Sequence, residues 1–242
     1  MKILIMRYIY FCLILFVSCF TISVSAAPKE KKVKVETPNM EKICEAVNDP
    51  KSKYYYPTLL KKYEANDTIM KHDEYRHLYY GYIFQEDYNP YRHSEFSDKI
   101  ESLYYKTKHS RAECDTIIKY AELSLKDNPF DLQQMNFLIY ALREKKKIHL
   151  ANIWQYRLNH LLEAIVSSGT GLDQENAWYV VIPKNEYTLI NSLGYIADSQ
   201  EFVNPYFDYI TIQKKKDKDP AGFYFNVKNI LEEYYRKYPD EE

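Results

Sequence analysis

The chain changes its hydrophobic period once, at Ser168-Gly169-Thr170-Gly171, and that change limits the folds open to it. Before this point apolar residues recur at helical spacing, as Ile117, Ile118, Ala121 and Leu125 do. After it, short runs of aromatic and β-branched residues take over, at 178–182, 206–212 and 222–227. Asn48-Asp49-Pro50, Asn89-Pro90 and Asp127-Asn128-Pro129 divide the first part into separate helices. Only 5 glycines stand against 10 prolines, which disfavours a loop-rich all-β chain. The expected class is α+β: a helical-hairpin, repeat-like N-terminal part, then a small antiparallel sheet with flanking helices.

The spacing predicts helices over 40–47, 56–64, 73–85, 94–106, 112–125, 132–143, 148–167, 186–193 and 229–238. Asn39 and Asp131 stand where a side chain can cap the first exposed amides of a helix. Pro57 falls in a first turn, where its missing N–H is harmless. The charged stretch from Lys214 to Asp219 joins two strand-like runs closely enough to predict an antiparallel hairpin.

Residues 1–26 read as a cleaved signal peptide. Lys2 and Arg7 precede an apolar run, and Val24-Ser25-Ala26 gives the small residues that a signal peptidase cuts after. The run is short for a membrane-spanning helix, so no span is expected after cleavage. The expected location is periplasmic or extracellular. A competing reading is lipidation at Cys19. It meets Phe16 where the lipoprotein box usually has Leu, and it leaves an apolar stretch where a polar tether belongs. Residues 27–38, with Lys29, Lys31, Lys32 and Lys34, read as a flexible linker. The helical part then spans 39–167, and a small α+β part packed on the helices spans 168–242.

The whole chain carries 33 Lys and Arg against 34 Asp and Glu, a formal net charge of −1. Such balance gives no electrostatic reason to expect nucleic acid as partner. Cys12 and Cys19 leave with the leader. Cys44 and Cys114 remain as candidates for a disulfide in an oxidising compartment, or as two free thiols. Tyrosine is the compositional outlier, at 26 residues. Its ring can be buried while its hydroxyl keeps a polar partner, which suits half-exposed helix faces and binding grooves.

Familiar chemistries fail on spacing. His72 and His77 are five residues apart, roughly 140° around a helix, whereas a zinc helix places its histidines at i and i+4. Ser168-Gly169-Thr170-Gly171 follows a helix and ends in Leu172, so it reads as a capping turn and not as a phosphate cradle. No metal, cofactor or nucleophile elbow is expected. Glu175 and Glu186 flank the first strand and could form an acid/base pair; carboxylates bordering a strand more often cap or face water.

Tyr79-Tyr80-Gly81-Tyr82, Tyr88-Asn89-Pro90-Tyr91, Asn128-Pro129-Phe130-Asp131, Ser168-Gly169-Thr170-Gly171, Ala177-Trp178-Tyr179-Val180 and Gly222-Phe223-Tyr224-Phe225-Asn226-Val227 occur in that order. With them, most of the mature chain resembles a family of secreted Bacteroidetes proteins labelled domain of unknown function 4919. The resemblance implies export and supplies no activity.

A weaker similarity is to tetratricopeptide repeats. His77, Tyr80, Gly81 and Phe84 match the spacing of that repeat's first helix, with Gly81 where two helices approach closely. Ile139 stands where the repeat wants a small residue. In that register Tyr75, Tyr82 and Gln85 would share a concave face with Gln133, Asn136, Tyr140 and Arg143, a surface suited to an extended peptide or glycan. The alternative is that these tyrosines simply pack between helices. The expectation is an exported, non-catalytic interaction or scaffold protein with a partner protein, peptide or glycan in the cell envelope. The competing expectation is an envelope-polymer hydrolase or transferase with its site at the helix–sheet junction.

Overall fold

The computed structural model describes residues 35–239; the leader, the Cys19 reading and most of the 27–38 segment lie outside them. Among the described residues nine helices and a four-stranded sheet follow in order, confirming the α+β class. The helices are α1 (Met40–Asn48), α2 (Tyr56–Glu64), α3 (His72–Gly81), α4 (Glu95–Glu101), α5 (Arg111–Asp127), α6 (Leu132–Glu144), α7 (Ile148–Val166), α8 (Lys184–Ser192) and α9 (Lys228–Lys237). The strands are β1 (Trp178–Tyr179), β2 (Ala197–Val203), β3 (Phe207–Ile212) and β4 (Gly222–Asn226). Among these residues no helix is long and apolar enough to cross a membrane.

Local chemistry sets the helix starts. Asn39 Oδ1 accepts from the Lys42 amide at 3.0 Å, and Asp131 Oδ1 from that of Gln134 at 3.0 Å. Ser110 and Glu113 bond reciprocally across the first turn of α5, at 3.2 and 2.8 Å. Helix α3 is shorter than the predicted 73–85, because a 3-10 turn over Tyr82–Phe84 replaces its last turn. The predicted 94–106 helix likewise ends at Glu101 and continues as turns.

Gly81 lies where α3 meets α1. A Cβ there would stand 2.6 Å from Val47 Cγ1, and Val47 is itself buried. Gly81→Ala is expected to lower stability by about 1–2 kcal/mol, the overpacking outweighing alanine's better helix propensity. Adding Val47→Ala should move the urea midpoint back toward that of Val47→Ala alone. An unchanged midpoint for Gly81→Ala would contradict the close approach.

The sheet runs β1-β4-β3-β2. The hairpin expected around Lys214 to Asp219 is present, with β3 antiparallel to β4 and Asp208 opposite Phe225. Three features differ from expectation. The sheet is mixed, since β1 pairs with β4 in parallel, and β1 is only two residues long before Pro183 intervenes. Strand β2 was not legible, because it is an edge strand whose Asp198, Ser199, Gln200 and Glu201 all face water.

Tyrosine hydroxyls tie α3 and the turn after it both to α7 and to the segment that follows β1. Tyr88 Oη donates to the Val181 carbonyl at 2.8 Å, and Tyr80 Oη to that of Ala164 at 2.9 Å. Tyr79 Oη accepts from Asn185 Nδ2 at 3.0 Å and from the Val181 amide at 3.4 Å. All three rings are buried, so each phenol contributes both apolar area and a satisfied polar group. Burial raises each of the three phenol pKa values, that of Tyr80 to about 12. The end of the 27–38 segment is also tied down. The Glu36 amide donates to the Ser167 carbonyl at 2.7 Å, and Arg76 Nη2 donates to the Glu36 carbonyl at 2.7 Å.

Candidate functional site

A cleft of about 1020 Å³ opens between α2, the 3-10 turn, α5 and α7. Tyr56, Tyr63 and Tyr82 supply its aromatic floor, and Trp154 and Arg157 one wall. Tyr82 meets Tyr88 and Phe130 edge to face, with ring centroids 5.3 and 5.1 Å apart. Its hydroxyl is buried and has no hydrogen-bond partner, and burial raises the phenol's pKa to about 12.

Arg157 is the unusual group. It is only 8 % exposed, yet it forms no ion pair among the described residues. Its Nη2 donates to the carbonyls of Tyr63 at 2.9 Å and Glu64 at 3.1 Å, capping the negative end of α2. The guanidinium carbon lies 4.7 Å from the Tyr63 ring centroid and 4.5 Å from that of Trp154. These contacts offset part of the desolvation, which still pulls the guanidinium pKa down. Nε remains buried without a partner.

The cleft's rim carries charges of both signs. Arg92 approaches Asp87 at 3.8 Å, and Asp115 pairs with Lys145 at 2.7 Å. Lys119, Lys126, Lys147, Glu64 and Glu122 line the cleft outside any ion pair among the described residues.

A second polar group sits at the helix–sheet junction. Glu186 on α8 is wholly buried and faces the carboxyl of Asp208 on β3. No N–H or neutral hydroxyl reaches either Glu186 oxygen, so the two carboxyls join only when one holds a proton. Burial, then the neighbouring Asp208, pushes Glu186 well above the usual carboxylate range. Asp208 is raised by burial too, while a hydrogen bond from Gln200 works against the rise. Glu175 is different: it stands exposed in the turn before β1. The two glutamates that flank this strand thus occupy opposite environments, one in water and one sealed.

Of the seven residues expected to share a concave face, the cleft takes Tyr82 alone. Tyr75 is buried and stacks on His160, ring centroids 4.7 Å apart. Gln85 turns back, its Nε2 donating to the Gly81 carbonyl at 2.9 Å. Gln133 borders a separate depression beside His93 and Lys184. Asn136 is exposed, Tyr140 Oη meets His109 Nδ1 at 2.9 Å, and Arg143 donates to Gln155 Oε1 at 3.0 Å. The physical reason is local: α3 directs Tyr75 inward, so α3 and α6 do not share the face that a regular repeat would create.

Cys44 on α1 and Cys114 on α5 are both free thiols, so the disulfide entertained from sequence is not formed. His77 stacks on Tyr54 with centroids 3.6 Å apart, whereas His72 lies 3.9 Å from a Glu163 oxygen. In the Ser168–Gly171 turn, the amides of Thr170 and Gly171 both donate to the Asn176 carbonyl, at 2.9 and 2.8 Å, and so are occupied. Trp154 and Arg157 went unnoticed in sequence. Their i, i+3 spacing, which puts a cation and an indole on one face of the longest helix, is the signal that marks them.

A family model described as a domain of unknown function (DUF4919) matches residues 41–236. No curated protein and no solved structure matches the chain.

Proposed function

From a chain that belongs to the family described as a domain of unknown function (DUF4919), we propose an exported, non-catalytic interaction protein that holds a peptide or glycan in the cleft between α2, α5 and α7. The observation carrying this reading is the cleft wall itself, where a buried arginine and a buried tyrosine each retain an unpartnered polar atom. Native interiors rarely leave such groups unpaired, and in water an occupant relieves the penalty. The volume lies at the upper end of ligand sites, enough for a short segment and not merely a single small group. Residues 1–26 supply the export half of the reading.

Peptide and glycan arrays probed with the mature protein provide the test. At least one ligand is expected to bind, and Trp154→Ala should weaken it about tenfold or more through the lost ring contact. If no arrayed ligand depends on Trp154, the binding reading fails. Fractionation addresses export separately: full-length protein kept inside the cell contradicts it.

A second reading, a hydrolase or transferase on envelope polymers, draws on the Glu186–Asp208 pair at the helix–sheet junction. Its sealed position weighs against it, and the direct carboxyl contact does not suit glycoside hydrolysis, whose paired carboxyls stand about 5 Å or more apart.

A further inference from the structure

Resting on that reading and narrowing it, we propose that the cleft recognises a peptide through a carboxylate that becomes the counterion of Arg157. Arg157 is a buried cation that forms no ion pair among the described residues, Glu64 acting on it only from beyond ion-pair distance; it is held between two rings and already spends Nη2 on the end of α2. Buried charges are ordinarily paired, so the missing element is an anion. The free Nε–H is buried in the cleft wall, and the half-buried Trp154 ring lies over the guanidinium. An incoming carboxylate supplies that N–H with its acceptor and packs against the indole. The orphaned Tyr82 hydroxyl supplies a second donor or acceptor across the floor.

The rim favours a peptide over a glycan as the bearer of that carboxylate. Lys119, Lys126, Lys147, Glu64 and Glu122 present both signs, which a polypeptide can answer with its own side chains and a simple acidic sugar cannot. Aromatic rings with an arginine at the centre and charged groups around them match the anatomy of a protein-recognition surface.

A randomised peptide library selected against the intact protein provides the probe, with binding located by ¹⁵N NMR of the two indoles. The Trp154 N–H should shift. The Trp178 N–H, which donates to the Gly169 carbonyl at 3.0 Å, should stay where it is. Selected peptides are then resynthesised with each Asp and Glu as its amide, and with a free or amidated C-terminus. Replacing one of these carboxylates should weaken binding about 30-fold or more, and the position that matters identifies the source as a side chain or the chain end. This comparison uses the unaltered protein, so the folding of Arg157 variants does not enter. Arg157→Lys should also weaken binding, because a lysine cannot present the planar fork. Cleft-bound peptides indifferent to amidation would overturn the carboxylate while leaving the binding reading in place. Capture of an acidic glycan with no peptide selected would overturn the peptide. A library yielding nothing that shifts Trp154 would overturn the proposal as well, and if the arrays also yield nothing, the broader reading falls with it.

Discussion

Asn185→Leu is expected to destabilise the protein by about 3–5 kcal/mol, although the two side chains are close in size. Asn185 is fully buried at the start of α8. Its Nδ2 donates to Tyr79 Oη and to the Phe130 carbonyl, both at 3.0 Å, and its Oδ1 accepts from the Leu132 amide at 3.3 Å. One side chain thereby ties α8 to α3 and to the first turn of α6. Leucine restores none of these bonds and leaves a buried amide and a buried carbonyl without partners, at about 1–3 kcal/mol each. Urea denaturation measures the loss. A variant within about 1 kcal/mol of the parent would show that the network is not what holds α8 in place.

Glu186→Gln is expected to make the protein more stable at neutral and alkaline pH, and to remove this group's loss of stability with rising pH. The folded pKa of Glu186 lies well above its ordinary value of 4.5, so the folded state binds the more protons between those two points. Stability is then full below about 4.5 and declines as pH climbs toward the folded value. Each pH unit crossed costs about 1.4 kcal/mol. Glutamine removes the titration and offers its Nε2 to Asp208, turning a strained carboxyl pair into an amide–carboxylate hydrogen bond. The variant should unfold at higher temperature than the parent at pH 8, by about 2–4 °C per kcal/mol, and show no such advantage at pH 4. Parallel profiles of melting temperature against pH would refute the shared proton. The same variant bears on the catalytic reading, because turnover of an envelope polymer that survives Glu186→Gln would remove this residue from the chemistry.

What could be read from the sequence was what neighbours in the chain decide among themselves. Asn39, Asp131 and Pro57 act within their own first turns, and α2 has the bounds expected of it. The hairpin between β3 and β4 is legible because a charged loop joins two runs rich in aromatic and β-branched residues. Strand β2 was hidden because an edge strand needs no apolar face to be held by its neighbour. The site lay beyond reach for a related reason. Glu186 on α8 and Asp208 on β3 meet only through the packing of a helix on the sheet, and Arg157 reaches the end of α2 across a long span of chain. Neither encounter leaves a spacing to find. The groove expected from Tyr75 to Arg143 assumed a regular superhelix, and the inward turn of Tyr75 removes the premise.

The ammonium of Lys237, near the end of α9, donates to the carbonyls of Gln85, Glu86 and Tyr88 at 2.6, 3.2 and 3.2 Å. Those carbonyls leave the ribosome long before the lysine that satisfies them. The early helices can associate while translation continues, yet the stretch after α3 must wait for the far side of the sheet to arrive. Closure of the body is therefore a late event in vectorial synthesis. A nascent chain halted before Lys237 keeps this seam open to water, and to any chaperone that binds there.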